Sequence, residues 1–232
     1  MISNNKIAVI TGASSGLGRS ISLKLALEGY EVVLASRNKE KLKCLEKEIS
    51  KNRGVSKIII TDISKESDIE KLYLSIDIDR VDLVVNNAGL GIFNKIQKIT
   101  STEWDEQINI NLRGAFLMTK YISESMIKRK AGKLVFINSV AGINPYPYSA
   151  AYVASKFGLR GLTSSLREEL REHNIKVISI HPGAIDTPFW NKVKVDYSKD
   201  DMLSSDDVAS SIIHAILAPN NLVQEEIIIR RT

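Results

Sequence analysis

Cysteine, histidine and long apolar runs are all scarce in this sequence of 232 residues. The single cysteine, Cys44, excludes an intramolecular disulfide and favours a reducing compartment. The three histidines, His173, His181 and His214, are neither clustered nor at metal-ligand spacing, so no metal site is predicted. No run approaches the roughly 18 apolar residues that span a bilayer, and the first ten residues, MISNNKIAVI, do not form a secretion signal. We therefore expect a soluble cytoplasmic protein.

Charge of one sign is not concentrated anywhere in the chain. The 32 Lys and Arg residues exceed the 27 Asp and Glu residues by five, and the basic residues are scattered among the acids. The densest basic cluster, Lys128 to Lys130, is typical of a solvated helix end. The sequence thus predicts no nucleic-acid surface, although a modest positive field favours an anionic small ligand.

Apolar β-branched runs alternate with segments of helical periodicity. The runs predict seven strands, at Ile7 to Ile10, Glu31 to Ala35, Lys57 to Thr61, Val81 to Val85, Lys133 to Ile137, Lys176 to Ile180 and Glu226 to Ile229. The intervening segments predict helices, at Ser20 to Glu28, Lys39 to Lys51, Glu66 to Ile76, Glu103 to Lys130, Ala151 to His173 and Asp206 to Leu217. This alternation predicts an α/β, doubly wound fold with a parallel sheet covered by helices on both faces. No linker or repeat interrupts it, so we expect one domain over residues 1–232.

Two long irregular segments follow predicted strands. Residues 139–150 (SVAGINPYPYSA) and 181–203 are rich in turn formers. Ligands of doubly wound sheets bind outside the carboxyl ends of the strands, where both segments begin. They are expected to form a substrate rim, in which Phe189 and Trp190 either line the pocket or pack as a lid; the sequence leaves both open.

A glycine-rich turn, TGASSGLGR, lies between the first strand and the first helix. Gly12, Gly16 and Gly18 allow a tight turn and a close approach of the backbone to a ligand. Ser14 and Ser15 add donors, and the N-terminus of the following helix presents free N–H groups. The turn predicts a pyrophosphate site for a dinucleotide.

The pattern T-G-x-x-x-G-x-G resembles the short-chain dehydrogenase/reductase family, and five further markers of that family follow in order. They are Asn86-Asn87-Ala88-Gly89 after the fourth strand, Asn111 in INLRGAF, Ser139 at the end of KLVFINS, the Y-x-x-x-K of Tyr152 and Lys156, and the P-G-x-x-x-T of Pro182, Gly183 and Thr187. The resemblance covers essentially the whole chain. It implies a Rossmann-type domain with a nucleotide-binding half of about residues 1–110 and a catalytic half of about 111–232.

The end of the second strand favours NADPH over NADH. A carboxylate there suits the ribose 2′-hydroxyl of NAD, whereas a basic residue suits a 2′-phosphate. Here Ser36 and Arg37 follow the strand with no acid, and an arginine binds phosphate through two donors. Asp62 alone is as consistent with a helix cap as with a ligand contact; the resemblance implies that it binds the adenine amino group.

Tyr152 and Lys156 are four residues apart on a predicted helix, so both side chains lie on one face. A nearby ammonium lowers the pKa of a phenol below its ordinary value of about 10, which predicts an acid/base role for Tyr152. The resemblance implies that Tyr152 protonates a carbonyl oxygen that Ser139 polarises. It also implies that Lys156 binds the nicotinamide ribose and that Asn111 holds a water of a proton relay.

The site prediction comprises a catalytic set and a cofactor set. The catalytic residues are Asn111, Ser139, Tyr152 and Lys156. The residues expected to bind the dinucleotide are Gly12, Ser14, Ser15, Gly16, Leu17, Gly18, Ser36, Arg37, Asp62, Ile63, Asn87, Ala88, Gly89, Tyr152, Lys156, Pro182, Gly183, Ile185 and Thr187.

The function predicted from this resemblance is an NADPH-dependent carbonyl reductase or alcohol dehydrogenase. One alternative is a 3-oxoacyl-carrier-protein reductase, although those enzymes end in a V-x-G-G segment and this chain ends QEEIIIRRT. Another is an NADPH sensor without catalysis, in which Tyr152 or Lys156 would be replaced; both are present. A small carbonyl or alcohol substrate and a homotetramer or homodimer built through the long helices are also expected.

Overall fold

The computed structural model describes residues 6–192, 198–219 and 221–232, so part of the predicted rim, residues 193–197, lies outside the described residues. The strands are β1 (Ile7–Thr11), β2 (Glu31–Ser36), β3 (Val55–Ile60), β4 (Val81–Asn86), β5 (Gly132–Ile137), β6 (Ile175–Pro182) and β7 (Glu226–Ile229). The α-helices are α1 (Gly16–Leu27), α2 (Lys39–Lys51), α3 (Glu66–Leu74), α4 (Ser101–Ile108), α5 (Gly114–Arg129), α6 (Ala150–Arg171) and α7 (Ser205–Ile216).

All seven strands form one parallel sheet in the order β3-β2-β1-β4-β5-β6-β7. This confirms the doubly wound, Rossmann-type fold expected from the alternation of strands and helices. The strand order reverses between β1 and β4, and their carboxyl ends meet at one edge of the sheet. A ligand crevice is expected at that reversal.

Helices cover both faces of the sheet and bury two separate cores. The first core packs α1, α2 and α7 on one face, where Ile21, Leu42 and Ile212 are fully buried. The second packs α3, α5 and α6 on the other, around Leu72, Met118 and other buried residues. Because both faces are covered, the central strands are apolar throughout, and β1 is buried at every position.

The predicted helix from Glu103 to Lys130 is present, but it begins earlier than expected and is not α-helical throughout. It starts at Ser101, because Thr100 and Glu103 form a reciprocal capping box with the helix backbone. Between α4 and α5 it passes through a π-helical turn, Asn109–Arg113. Such single π turns often occur at functional sites, and this one carries Asn111.

Candidate active site

The glycine turn folds as expected for a phosphate cradle. Gly12 and Gly16 have φ values of +66° and +51°, in the left-handed region that favours glycine. Gly18 must be glycine for another reason: a Cβ there would lie 2.4 Å from the Gly12 carbonyl oxygen and 2.4 Å from Asn87 Nδ2. Thr11 joins this turn to the end of β4, since its Oγ1 accepts hydrogen bonds from the Asn87 and Ala88 N–H groups at 3.0 Å each.

The N-terminus of α1 is left open toward the cleft. Its N-cap residue, Ser15, makes no side-chain capping hydrogen bond, and the first turn of the helix contains no acidic residue. The first N–H groups of a helix need partners from outside the helix and attract negative charge. Positive-φ glycines and an uncapped helix end therefore fit a dinucleotide pyrophosphate.

Basic side chains stand at the other end of the cleft, beyond β2. Arg37 lines the cleft as predicted, and the Ser36 and Ser14 hydroxyl oxygens are 2.9 Å apart. Lys41, in the first turn of α2, also lines it. The sequence analysis missed Lys41, although its place one turn after Arg37 is a usable signal for a second phosphate contact.

Asp62 lies beside these bases and remains ionised. Partial burial opposes its charge, but hydrogen bonds from the Ser64 hydroxyl (2.7 Å) and N–H (3.1 Å) and the charge of Arg37 outweigh burial and lower the pKa of Asp62. Asp62 Oδ1 caps the turn that precedes α3, so the structural role left open by the sequence is present. Asp62 and Ile63 both also line the cleft.

Ser139, Tyr152 and Lys156 converge where β5 ends. Lys156 is 3% exposed and donates a hydrogen bond from Nζ to the Ile137 carbonyl at 2.9 Å. Its Nζ lies 5.8 Å from the centre of the Tyr152 ring. Ser139 makes a side-chain hydrogen bond with Tyr152, and its Oγ accepts the Ala141 N–H at 3.0 Å.

The expected lowering of the Tyr152 pKa is wrong for this arrangement. Burial raises the pKa of Tyr152 to about 12 despite the opposing hydrogen bond from Ser139. Burial also lowers the pKa of Lys156 to about 8. The spacing correctly placed both groups on one helix face, but the ammonium is directed to the Ile137 carbonyl, and desolvation exceeds its effect on the phenol.

Asn111 is buried beside this cluster but does not line the cleft. Its Nδ2 donates to the Leu90 carbonyl at 2.8 Å and to Ser155 Oγ at 2.9 Å, and its Oδ1 accepts the Leu90 N–H at 2.8 Å. The side chain thus holds the segment after β4 against α6. The relay role implied by the resemblance stays a prediction.

His181 is fully buried beneath Ser139 rather than directed into the cleft. Its Nδ1 lies 3.2 Å from the Ser139 carbonyl oxygen, and its Nε2 lies 2.9 Å from Ser179 Oγ. Burial lowers the pKa of His181, although the Ser139 carbonyl and the charge of Glu226 oppose this effect. The imidazole therefore supports the backbone that carries Ser139.

These groups surround one cavity of about 830 Å³ that runs along the carboxyl edge of the sheet. Apart from Asn111, every predicted site residue lines it, including Leu17, Gly89, Pro182, Gly183, Ile185 and Thr187. Phe189 and Trp190 line it and also pack on each other, with ring centres 5.3 Å apart; packing as a lid stays a prediction.

Neither a membrane-spanning helix nor a metal cluster is present in the described part of the chain. No helix in the described ranges has the length and hydropathy of a membrane span. Across the same ranges, His, Cys, Asp and Glu side chains form no group of three that could hold a metal ion.

A dinucleotide cradle that opens onto a half-buried tyrosine and a buried lysine is the arrangement of an NAD(P)-dependent oxidoreductase. The chain belongs to the short-chain dehydrogenase family, whose model matches residues 6–198. It is 35% identical to sepiapterin reductase of Chlorobaculum tepidum over 97% of this chain and 96% of that protein.

Solved structures agree with this assignment. A metagenomic short-chain oxidoreductase in complex with NADP is 34% identical, with a TM-score of 0.86 over 98% of this chain and 97% of that one. An alcohol dehydrogenase from the archaeon Thermococcus sibiricus, complexed with 5-hydroxy-NADP, is 30% identical, with a TM-score of 0.89 over 97% and 96% of the two chains.

Proposed function

We propose that this protein is an NADPH-dependent carbonyl reductase that converts a ketone or aldehyde into an alcohol, with Tyr152 as the proton donor. The observation that carries this proposal is that Ser139, Tyr152 and Lys156 meet in the lining of the cavity that also holds the glycine turn. The similarity to sepiapterin reductase supports reduction as the direction of the reaction. The two similar structures, which hold NADP and 5-hydroxy-NADP, support NADPH as the cofactor.

The cofactor set divides between the two ends of the cleft. Gly12, Gly16 and Gly18, with the open end of α1, would hold the pyrophosphate. Arg37 and Lys41 would hold the 2′-phosphate, since no acidic residue follows β2 to favour NADH. NADPH, when bound, supplies the hydride that reduces the carbonyl carbon.

The protein groups supply the proton. With a pKa of about 12, the Tyr152 phenol keeps its proton at neutral pH, which is the form that reduction of a carbonyl needs. Ser139 would donate a hydrogen bond to the same oxygen as negative charge develops on it. Lys156, with a pKa of about 8, is mostly charged at neutral pH and would stabilise the phenolate left behind.

The test is the loss of NADPH absorbance across a panel of ketones, 3-oxo thioesters, 2-oxo acids and aldehydes, with NADH in parallel. Tyr152→Phe is expected to lose about 100-fold or more in kcat, the usual contribution of a general acid, while NADPH affinity measured by calorimetry is unchanged. Tyr121→Phe is the matched control, because it removes a phenol that does not line the cavity.

Unaltered turnover in Tyr152→Phe would refute the assigned proton donor. Exclusive turnover of 3-oxo thioesters would favour the carrier-protein reductase, and tight NADPH binding with no turnover of any carbonyl would favour the sensor.

The proposal extends to a homodimer or homotetramer built through α4, α5 and α6. Trp104, Phe116 and Phe157 on these helices are 38%, 46% and 42% exposed, which is unusual for large aromatic side chains. Light scattering of the purified protein tests this, since a monomer at micromolar concentration would contradict it. The division into halves near residue 110 stays a prediction.

A further inference from the structure

Aromatic residues are few in this chain, yet they are concentrated around one end of the cleft. The sequence contains seven Tyr, five Phe and two Trp residues. Of the thirteen that lie in the described part of the chain, six line the cavity: Phe93, Tyr146, Tyr148, Tyr152, Phe189 and Trp190. They come from three separate segments of the chain, so only the fold brings them together.

Four of these rings form a continuous aromatic wall, made of Phe93, Tyr152, Phe189 and Trp190. Phe93 is at its centre: its ring centre lies 5.3 Å from Tyr152, 6.4 Å from Phe189 and 6.3 Å from Trp190. Its ring is nearly parallel to that of Trp190, at an interplanar angle of 8°. The wall therefore begins at the proposed proton donor and extends away from it.

The surrounding backbone holds the wall in place. Trp190 Nε1 donates a hydrogen bond to the Ile185 carbonyl at 2.9 Å. Gly91 gives the rings room, because a Cβ there would lie 2.4 Å from Phe189 and 2.8 Å from Phe93. Next to Phe93, the Asn94 N–H donates a hydrogen bond to the Tyr148 carbonyl at 2.7 Å, and Tyr148 has a φ of +61°. A tyrosine in the left-handed region is uncommon and is often a sign of functional constraint.

Apart from Lys156, the described residues that line this end of the cavity carry no charge. Arg37, Lys41 and Asp62 follow β2 and β3, the two strands at the other edge of the sheet. Lys156 is buried and bonded to the Ile137 carbonyl. A substrate carboxylate next to the aromatic wall would lose its water without gaining a charged partner there, which is costly.

We propose that the substrate is an uncharged aryl ketone whose ring packs on the aromatic wall while its carbonyl reaches Tyr152 and Ser139. This inference rests on the proposed reductase function. Aromatic rings in contact prefer stacked or edge-to-face geometries and gain more than their buried area alone provides. A flat neutral ring is thus favoured over a saturated ring of the same size and over a ring that carries a carboxylate.

A binding experiment tests the wall without chemistry. Trp104→Phe leaves Trp190 as the only tryptophan, so quenching of its fluorescence reports occupancy of the wall. Benzamide, cyclohexanecarboxamide and benzoate are matched ligands that this chemistry does not reduce. Benzamide is expected to quench saturably, with a Kd about ten-fold below those of the other two. Equal affinities, or tighter binding of benzoate, would overturn the inference.

A kinetic experiment then compares acetophenone, cyclohexyl methyl ketone and 4-acetylbenzoate with NADPH. The kcat/KM of acetophenone is expected to be about ten-fold above each of the others. Phe93→Leu should remove most of this advantage through KM and leave cyclohexyl methyl ketone unchanged. Leu74→Ala, on the exposed face of α3 and outside both the cavity and the proposed interface, is the control with no effect.

The two proposals fail differently. If benzamide binds selectively but no carbonyl is reduced, the reductase function fails and the aryl site stands. If carbonyls are reduced with no preference for the aryl ketone, the reductase stands and the aryl inference is refuted. Preference for 4-acetylbenzoate also refutes it, and would direct attention to the adjoining cleft that Asp201, Arg230 and Arg231 line.

Discussion

Gly18→Ala puts a methyl group into the closest contact of the glycine turn. The added Cβ would lie 2.4 Å from the Gly12 carbonyl oxygen and 2.4 Å from Asn87 Nδ2. The amide end of Asn87 can move, but it donates to the Thr11 carbonyl at 2.9 Å, and the Gly12 carbonyl belongs to the turn itself. Since ordinary carbon contacts begin near 3.5 Å, the turn must open by about 1 Å.

The expected cost follows from this displacement. Overpacking of a tight site costs about 1–3 kcal/mol of unfolding free energy. For a chain of this size each kcal/mol lowers Tm by about 2–4 °C, so Gly18→Ala should melt about 2–12 °C below the wild type. Moving the turn also misplaces N–H donors for the pyrophosphate, and losing one hydrogen bond to a charged group raises the Kd for NADPH about ten-fold or more.

Thermal melting and calorimetric titration with NADPH measure both effects. Gly161→Ala is the matched control, because Gly161 lies within α6 and a Cβ there meets nothing within 4 Å. It should raise stability by about 1 kcal/mol through helix propensity and leave NADPH affinity unchanged. If Gly18→Ala melts with the wild type and binds NADPH as tightly, the argument from close approach is refuted.

Two further predictions concern cofactor choice and pH. Arg37→Ser should raise the Kd for NADPH about ten-fold and leave the Kd for NADH unchanged. Lys39→Ala is the control, because this neighbouring lysine does not line the cavity. An unchanged ratio of the NADPH and NADH Kd values in calorimetry would contradict the 2′-phosphate contact. Burial lowers the pKa of His181 in the folded state. As the pH falls below about 6.5, the unfolded chain therefore protonates this histidine before the folded protein does. The stability that is present above that pH is lost below it. In denaturant titrations, His181→Gln should therefore lose less unfolding free energy than the wild type between pH 7 and pH 5. The charges of Glu226, Arg160 and Lys156 also affect the pKa of this histidine. Equal losses in the two proteins would assign the pH effect to other groups.

Sequence patterning was sufficient for the fold because the central strands of a doubly covered sheet must be apolar on both sides. All seven predicted strands are present, with ends shifted by one or two residues in some, as for β3 at Val55–Ile60. The π turn at Asn109–Arg113 was not predicted, because it spans only five residues within a long segment whose apolar periodicity was taken as one continuous helix. The start of α4 was signalled by Thr100 and Glu103, whose spacing is that of a capping box.

The site divides in the same way. Residue type and spacing located the glycine turn, Ser139, Tyr152 and Lys156, because each requirement there is local: a positive φ, a strand end, one helix face. The sign of the Tyr152 pKa shift was not local. That sign depends on how far the surrounding segments exclude water from the phenol. It also depends on the Ile137 carbonyl, which accepts the hydrogen bond of the Lys156 ammonium.

The sequence by itself determined the sheet, the glycine turn and the choice of the side chains proposed to react, since these follow from periodicity and from motifs within a few residues. Only the tertiary structure placed His181 beneath Ser139 and assembled Phe93, Tyr152, Phe189 and Trp190 into one wall. These contacts join residues up to about a hundred positions apart, and burial, ring orientation and charge exclusion arise only where such distant segments meet.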